Sequence, residues 1–307
     1  MTKLDLRYAN RGLNIRTMAV HDVTFHADDV FAAMLIRAIY PDLKIIRTRE
    51  QDLLDRCDLV ADVGFEYDPD KLRFDHHQEG RAGARDNGIL YSAVGLIWKH
   101  WGLDICEGNE DVFEQIDKLL IQPIDAQDNS QKLYKERLFA EIENLSLDDI
   151  MRKGFNPVLG TEETHDEQFN EAMDFAELVF KRLFLHVRSL SRLKSGIISE
   201  HSKLQDKRYI IDEEYRPVLA FKKEMPELLF YIFPYGKGTD KWVIKCAQEE
   251  GFKNRKDLPK EWAGKNGKEL EKVSNIEQMD FCHNALFICG AKSKEAILKA
   301  LEAALKY

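Results

Sequence analysis

Phe74-Asp75-His76-His77-Gln78 places two adjacent histidines directly after an aspartate, at the end of a short apolar approach. A lone histidine is usually a solvated or satisfied side chain. This triplet, however, follows another acid upstream, in Leu59-Val60-Ala61-Asp62-Val63-Gly64. The Leu59–Val63 segment reads as a buried strand whose one charge, Asp62, lies near its C-terminal end. A carboxylate there is costly unless it is paired, hydrogen-bonded or bound to a metal. In open α/β sheets ligands bind at the carboxyl ends of strands. Asp62 and the triplet therefore read as parts of one site.

Working outward, Thr17-Met18-Ala19-Val20 is a strand candidate that runs into His21-Asp22-Val23-Thr24-Phe25-His26-Ala27-Asp28-Asp29. Val30, Phe31, Met34, Leu35 and Ala38 then recur at helical spacing until Pro41 stops the pattern. Lys44–Thr48 reads as a second strand, Glu50–Arg56 as a short helix and Leu59–Gly64 as a third strand. Strand, helix, strand, helix, strand in close succession is the mark of βαβ units and a parallel sheet. After the triplet, residues Glu79–Gly88 are Gly-rich and read as an exposed loop. Ser92 can cap a helix carrying Val94, Ile97, Trp98 and Trp101, with Gly102 as its stop. Val112, Phe113, Ile116, Leu119 and Leu120 mark another helix, which leads to Ile124-Asp125-Ala126-Gln127-Asp128-Asn129.

Composition shifts over residues 145–168, where polar and turn-like stretches place a domain boundary. Phe169, Met173, Ala176, Phe180 and Leu183 predict a long helix beyond it. The pattern then turns strand-rich, with Tyr209–Ile211, Pro217–Phe221, Leu228–Phe233 and Trp242–Ala247. Pro234–Asp240 forms a hairpin loop between the last two. Leu286–Gly290 is a final strand, and Ser293 caps a closing helix that carries Ile297, Leu301 and Leu305. The expected fold is α/β: an irregular lead-in over 1–16, a doubly wound, mostly parallel sheet over 17–150, and a second α+β domain over 151–307.

The 307 residues suit two domains, and 44% hydrophobic with 32% charged residues suits a soluble globular protein. A net charge of −9 argues against bulk attraction to nucleic acid and leaves a local basic groove open. The five cysteines include no CxxC pair, and an odd count fits a reducing compartment better than a disulfide framework. The longest apolar run, Leu228–Phe233, is too short to span a bilayer. The N-terminus lacks the apolar core of a secretory signal. A cytoplasmic protein with no membrane partner is the expectation.

Four clusters fall after strands or helices: His21/His26/Asp28/Asp29, Asp62, Asp75-His76-His77 and Asp125/Asp128. A mixed imidazole and carboxylate set without thiolate suits Mn²⁺ or Mg²⁺, and less selectively Fe²⁺ or Zn²⁺. Two such ions would activate water and clamp the oxygens of an in-line displacement at phosphorus. Plainer roles exist for single members. Asp28 and Asp29 begin a helix, so an N-cap accounts for one of them, and Asp125 and Asp128 suit Asx turns.

These stretches, Asp62 in Ala-Asp-Val-Gly, Phe74–Gln78 and Ile124–Asn129 among them, resemble the four successive motifs of the DHH phosphoesterase superfamily. That superfamily includes RecJ-type exonucleases, oligoribonucleases and family II inorganic pyrophosphatases. Thr24–Asp28, Asp62–Pro69, Leu258–Gly264 and Phe281-Cys282-His283 narrow the resemblance to the melanocyte proliferating gene family, also described as metal-dependent protein hydrolases. The resemblance runs from about residue 17 through nearly all the chain. It implies one metal held by His21, His26 and Asp62, and a second held by Asp28, Asp62, His76 and Asp125, with Asp62 bridging and the choice between Asp125 and Asp128 in the fourth motif left open. Manganese is the favoured ion of the pair. The implied catalytic set is Asp75, His76 and His77, with Asp75 orienting an imidazole and His77 facing the phosphoryl group. His26 stands where an aspartate is common in the superfamily. A Gly-Gly-Gly-His stretch typical of many RecJ-like relatives is missing, so substrate contacts fall to Lys222, Lys223, Arg255 and His283 as candidates beside His77.

The function expected from this set is a two-metal 3′-to-5′ exonuclease on RNA or short oligonucleotides. The second reading is a small-molecule phosphohydrolase for pyrophosphate or a dinucleotide, and the third a non-catalytic metal-binding regulator. Peptide hydrolysis finds no support in these motifs. Oligomeric state stays open, with a homodimer as one option.

Overall fold

The computed structural model describes residues 3–134, 145–236, 238–249 and 253–307. The chain forms two compact units, residues 1–188 and 189–307.

In the first unit, β1 (Thr17–Val20) leads to α1 (Ala27–Ile39) and β2 (Lys44–Arg47), then to α2 (Gln51–Leu54) and β3 (Leu59–Ala61). A hairpin of β4 (Tyr67–Asp68) and β5 (Arg73–Phe74) follows, then α3 (Ala93–Ile105), α4 (Glu110–Ile116), α5 (Gln122–Asp128) and α6 (Leu147–Ile150). The sheet order is β2-β1-β3-β5-β4. Its strands are parallel except for the β4–β5 pair.

The strand residues explain why the sheet is covered on both faces. Met18 and Val20 of β1, with Leu59 and Ala61 of β3, enter the main core with α1, α3 and α5. Ala19 and Val60, one position out of phase, pack with Leu54 and Cys57 in a smaller cluster on the opposite face. Side chains alternate faces along a strand, so continuous apolar runs such as Met18-Ala19-Val20 require cover on both sides. The central helix α1 is buried without interruption from Ala27 to Ile36.

Two expectations change here. Gly102 does not stop its helix, because α3 continues to Ile105. Its bare backbone instead lets the rings of Phe113 and Trp98 approach where a Cβ would collide. The expected boundary near 150 also differs from the compact units. Phe169, Met173, Ala176, Phe180 and Phe184 of α7 (His165–Ser202) all pack into the first core, so the division falls inside that helix.

The second unit carries β6 (Tyr209–Ile211), β7 (Phe230–Pro234), β8 (Trp242–Cys246), α8 (Gly267–Ser274), β9 (Met279–Cys282), β10 (Ile288–Ala291) and α9 (Lys294–Lys306). The sheet order is β6-β7-β8-β10-β9, antiparallel except for β6–β7. Ile297 and Leu301 of α9 cover one face of this sheet, and Tyr231, Phe233 and Val243 point to the other. Pro217–Phe221 is not a strand. Val218–Glu224 forms two short 3-10 turns joined by a kink at Phe221, and it buries Val218 and Phe221. Of the expected hairpin loop over Pro234–Asp240, Lys237 lies outside the described residues, and Pro234 itself extends β7 to pair with Trp242. No helix among the described residues is long and apolar enough to cross a membrane.

Candidate metal centre

β1, β3 and β5 are successive neighbours in the sheet and run parallel. Whatever follows them therefore emerges from one edge. His21 follows β1, Asp62 follows β3, and Asp75-His76-His77 follows β5. Asp62 has a left-handed φ of 60°, a conformation that aspartate tolerates better than most residues and that recurs where function fixes the backbone.

Asp62 lies between two imidazoles. Its Oδ1 is 3.2 Å from His76 Nε2, and its Oδ2 is 3.2 Å from His21 Nε2. The N-terminus of α1 contributes from a second direction. Asp29 Oδ1 accepts the backbone N–H groups of His26 and Val30 at 2.9 and 2.8 Å, a helix-capping role, while its Oδ2 lies 3.3 Å from His21 Nε2. Asp28 Oδ2 accepts the Ala93 N–H at 3.3 Å and sits 3.8 Å from His76 Nε2. The C-terminal end of α5 supplies Asp128, whose Oδ2 is 3.2 Å from the same His76 nitrogen.

These side chains form overlapping groups whose donor atoms lie within 4.8 Å of one another: His21, His26 and Asp62; His26, Asp28 and Asp128; Asp28, Asp29 and Asp62; and Asp62 with Asp75, His76 and His77. Asp62 belongs to three of them. Among the described residues, buried Asp28 Oδ1 and His76 Nδ1 find no hydrogen-bond partner, and Asp29 Oδ2 has only His21 Nε2 at 3.3 Å. Unpartnered polar atoms in an interior are uncommon and costly. Donors left open in sets of three or four are what a divalent cation requires, and oxygen and imidazole together suit Mn²⁺, Mg²⁺, Fe²⁺ or Zn²⁺.

The electrostatics point the same way. Burial, then the neighbouring charges of Asp62, Asp128 and Asp29, drive the Asp28 carboxyl well above the ordinary carboxylate range. Burial and Asp62 likewise push Asp29 to about 7 and Asp128 to about 6. For Asp62 burial acts upward too, but His21 and His76 outweigh it and hold the carboxyl below its usual value. Burial acts against a charged His21, yet Asp62 and Asp29 raise it to about 9. Burial lowers His26. Like charges confined in an interior favour protonation unless a cation compensates them.

Asp75 holds the rest of its triplet in place. Its Oδ1 accepts from His77 Nδ1 at 2.7 Å and from the backbone N–H groups of His76 and His77 at 2.7 and 3.1 Å. Its Oδ2 accepts the Phe65 N–H at 2.6 Å. Those bonds outweigh burial and lower the Asp75 carboxyl, and in return Asp75 raises His77. Nδ1 of His77 is thereby committed, and Nε2 is the nitrogen left for a ligand.

Asp125 is elsewhere engaged. Its Oδ2 accepts from Arg85 Nη1 at 2.6 Å, and its Oδ1 from Ser92 Oγ at 2.6 Å and from the Ser92 and Gly95 N–H groups at 3.1 and 3.0 Å. Asp128, three residues later on α5, is the one of the two whose carboxylate lies beside His76. Ser92 is drawn into the same contact, so its hydroxyl reaches Asp125 and makes no cap bond to α3. Asp29 and Asp128 belong to the clusters read from the sequence but not to the ligand set that the resemblance gave first, and the structure brings both against the donor group.

Lys222, Lys223, Arg255 and His283 all belong to the second unit. Arg255 is not an open cation. Its guanidinium donates to the carbonyls of Lys222, Met225, Pro226 and Leu228 and to Glu249 Oε1, at 2.8–3.2 Å. It clasps the loop before β7 instead of presenting charge to a ligand. His283 is exposed and its Nδ1 accepts the Ala285 N–H at 3.0 Å. Lys222 and Lys223 lie on the 3-10 helix.

The model of the family MYG1_exonuc, described as "Uncharacterised protein family (UPF0160)", matches residues 17–305. The chain belongs to this family. It is 31% identical over 306 residues to the MYG1 protein of Chlamydia pneumoniae, covering 95% of this chain and 97% of that one. It is 29% identical over 317 residues to the MYG1 protein of Dictyostelium discoideum, covering 93% and 95%. It is also 29% identical over 324 residues to the MYG1 exonuclease of Homo sapiens, covering 94% and 85%. Membership of the MYG1 family bears out the resemblance read from the motifs.

Proposed function

We propose that this protein is a metal-dependent phosphodiesterase, a 3′-to-5′ exonuclease acting on RNA or short oligonucleotides. The observation that carries the reading is the position of Asp62: one buried carboxylate, at the edge of a parallel sheet, with an imidazole 3.2 Å from each oxygen. The exonuclease names of mammalian relatives support the nucleic acid substrate.

In this proposal His21, His26 and Asp62 would hold one cation and Asp28, Asp62, His76 and Asp128 the other, with Asp29 available to the first site from the α1 side. Bound divalent ions supply water activation and offset charge at a phosphoryl group. The chain's own residues do the rest. Asp75 fixes the His77 ring through Nδ1 and favours its protonated form, so Nε2 donates a hydrogen bond to a non-bridging phosphoryl oxygen as negative charge develops there. Asp28 and Asp29 are fully buried, so their carboxylates lie out of bulk water. In the second unit Lys222, Lys223 and His283 are the candidates for flanking phosphates.

The test is hydrolysis by the purified chain with Mn²⁺ of RNA, single-stranded DNA, a dinucleotide and pyrophosphate. Stepwise release of mononucleotides from an RNA 3′ end is the expected result. Hydrolysis of pyrophosphate alone would transfer the assignment to a small-molecule phosphohydrolase. No hydrolysis with Mn²⁺, Mg²⁺, Fe²⁺ or Zn²⁺ would refute an enzymatic role.

A further inference from the structure

Phe65 stands three residues beyond Asp62 and is disfavoured twice over. Its backbone φ is 55°, the left-handed region in which a bulky side chain is strained. Its aromatic side chain is also left in water, with the residue 72% exposed. A glycine here would relieve both penalties. Phe65 is nevertheless held firmly. Its N–H donates to Asp75 Oδ2 at 2.6 Å, while the other oxygen of that carboxylate receives His77 Nδ1 at 2.7 Å. One buried aspartate thus fixes the backbone that carries an exposed aromatic ring together with the triplet's exposed imidazole. The ring centroids are 6.5 Å apart and the planes are inclined by 71°, so the two rings do not stack on each other.

We propose that Phe65 is a stacking platform for the base of a nucleotide whose phosphoryl group lies at His77, which makes it a specificity-determining residue for nucleotidic over inorganic or purely sugar phosphates. This rests on the phosphodiesterase reading above and adds the substrate class that the site selects. Every base has a π-face, so a single aromatic ring selects for nucleotides without selecting a sequence. The tilt between the rings suits a division of labour, in which His77 addresses the phosphate and the Phe65 ring the base attached to it.

The experiment compares binding of adenosine 5′-monophosphate and ribose 5-phosphate to the full chain in Mn²⁺ by calorimetry, for wild type, Phe65→Gly and Phe65→Trp. Wild type and Phe65→Trp should bind the nucleotide about 5- to 150-fold more tightly than the sugar phosphate. Phe65→Gly should bind the two equally, with unchanged affinity for ribose 5-phosphate and a melting temperature no lower than wild type. A nucleotide preference that survives in Phe65→Gly overturns the proposal, and so does a wild type without preference. In the latter case, continued hydrolysis of RNA by the same wild-type preparation leaves the phosphodiesterase reading standing, whereas no hydrolysis removes both.

Discussion

Asp125 and Asp128 stand three residues apart in one helix, and replacing each by asparagine should produce opposite defects. Asp125 is fully buried and accepts four hydrogen bonds, one of them from the Arg85 guanidinium. Removing one charge of a buried, hydrogen-bonded pair typically costs about 3–5 kcal/mol. Arg85 keeps its two bonds to Asp117, at 3.0 and 2.7 Å, which offsets part of the loss. Asp125→Asn should therefore lower stability by about 2–4 kcal/mol while leaving the metal donors in place. Asp128 accepts nothing comparable, and its carboxyl is raised to about 6 by burial and Asp62. Asp128→Asn should change the stability of the metal-free protein by less than about 1 kcal/mol. It should weaken Mn²⁺ binding by more than the ~10–100-fold expected for a merely supporting residue. Denaturant unfolding in EDTA and Mn²⁺ titration calorimetry read the two effects separately. A stable Asp125→Asn protein that loses Mn²⁺, beside an Asp128→Asn protein that keeps it, would refute the assignment.

Three further outcomes follow from the same contacts. Gly95→Ala places a methyl group against the Asp125 carboxylate, so it should destabilise by about 3 kcal/mol in a melt, and a variant as stable as wild type would contradict the packing. Arg255→Ala should cost about 2–3 kcal/mol through four released carbonyls, seen in unfolding of the metal-free protein, whereas a change confined to the salt dependence of RNA binding would restore Arg255 as a substrate contact. Asp58 joins the starts of β1 and β3 by accepting from Arg16 N, Thr17 N and Thr17 Oγ1, each at 2.9 Å; these bonds outweigh burial and lower its carboxyl. A lowered folded value means stability present above the unfolded value of about 3.9 and lost as pH falls through the folded one, so the roughly 1 kcal/mol deficit of Asp58→Asn at pH 7 should shrink in acid, and a deficit constant with pH would exclude the ionic contribution.

The parallel sheet and its edge were legible because both rest on local pattern. Met18-Ala19-Val20 and Leu59-Val60-Ala61 are apolar on consecutive positions, which only a strand covered on both faces explains. Once those strands are parallel neighbours, the polar residues that follow them must share an edge. His21, Asp62 and the Asp75-His76-His77 triplet needed no further information. What stayed hidden depends on partners distant in sequence. Nothing local separates Asp125 from Asp128, since both lie on α5 and both are acids. Arg85, forty positions upstream in a loop read only as Gly-rich and exposed, is what engages Asp125 and leaves Asp128 beside His76. Asp29 was hidden for a different reason: its capping role is real, but it occupies one oxygen and leaves the second facing His21. Val218–Glu224 misled by composition, because Val, Leu and Phe favour strands while the chain here turns twice around a kink at Phe221. Arg255 likewise read as a free cation until its carbonyl partners were placed. A charged residue becomes a site residue or a structural clasp according to which donors and acceptors the fold leaves unpaired around it. That is a property of the tertiary contacts: carbonyls close off Arg255, whereas Asp28 Oδ1 is buried with no hydrogen-bond partner among the described residues, in a cluster of donors suited to a metal ion.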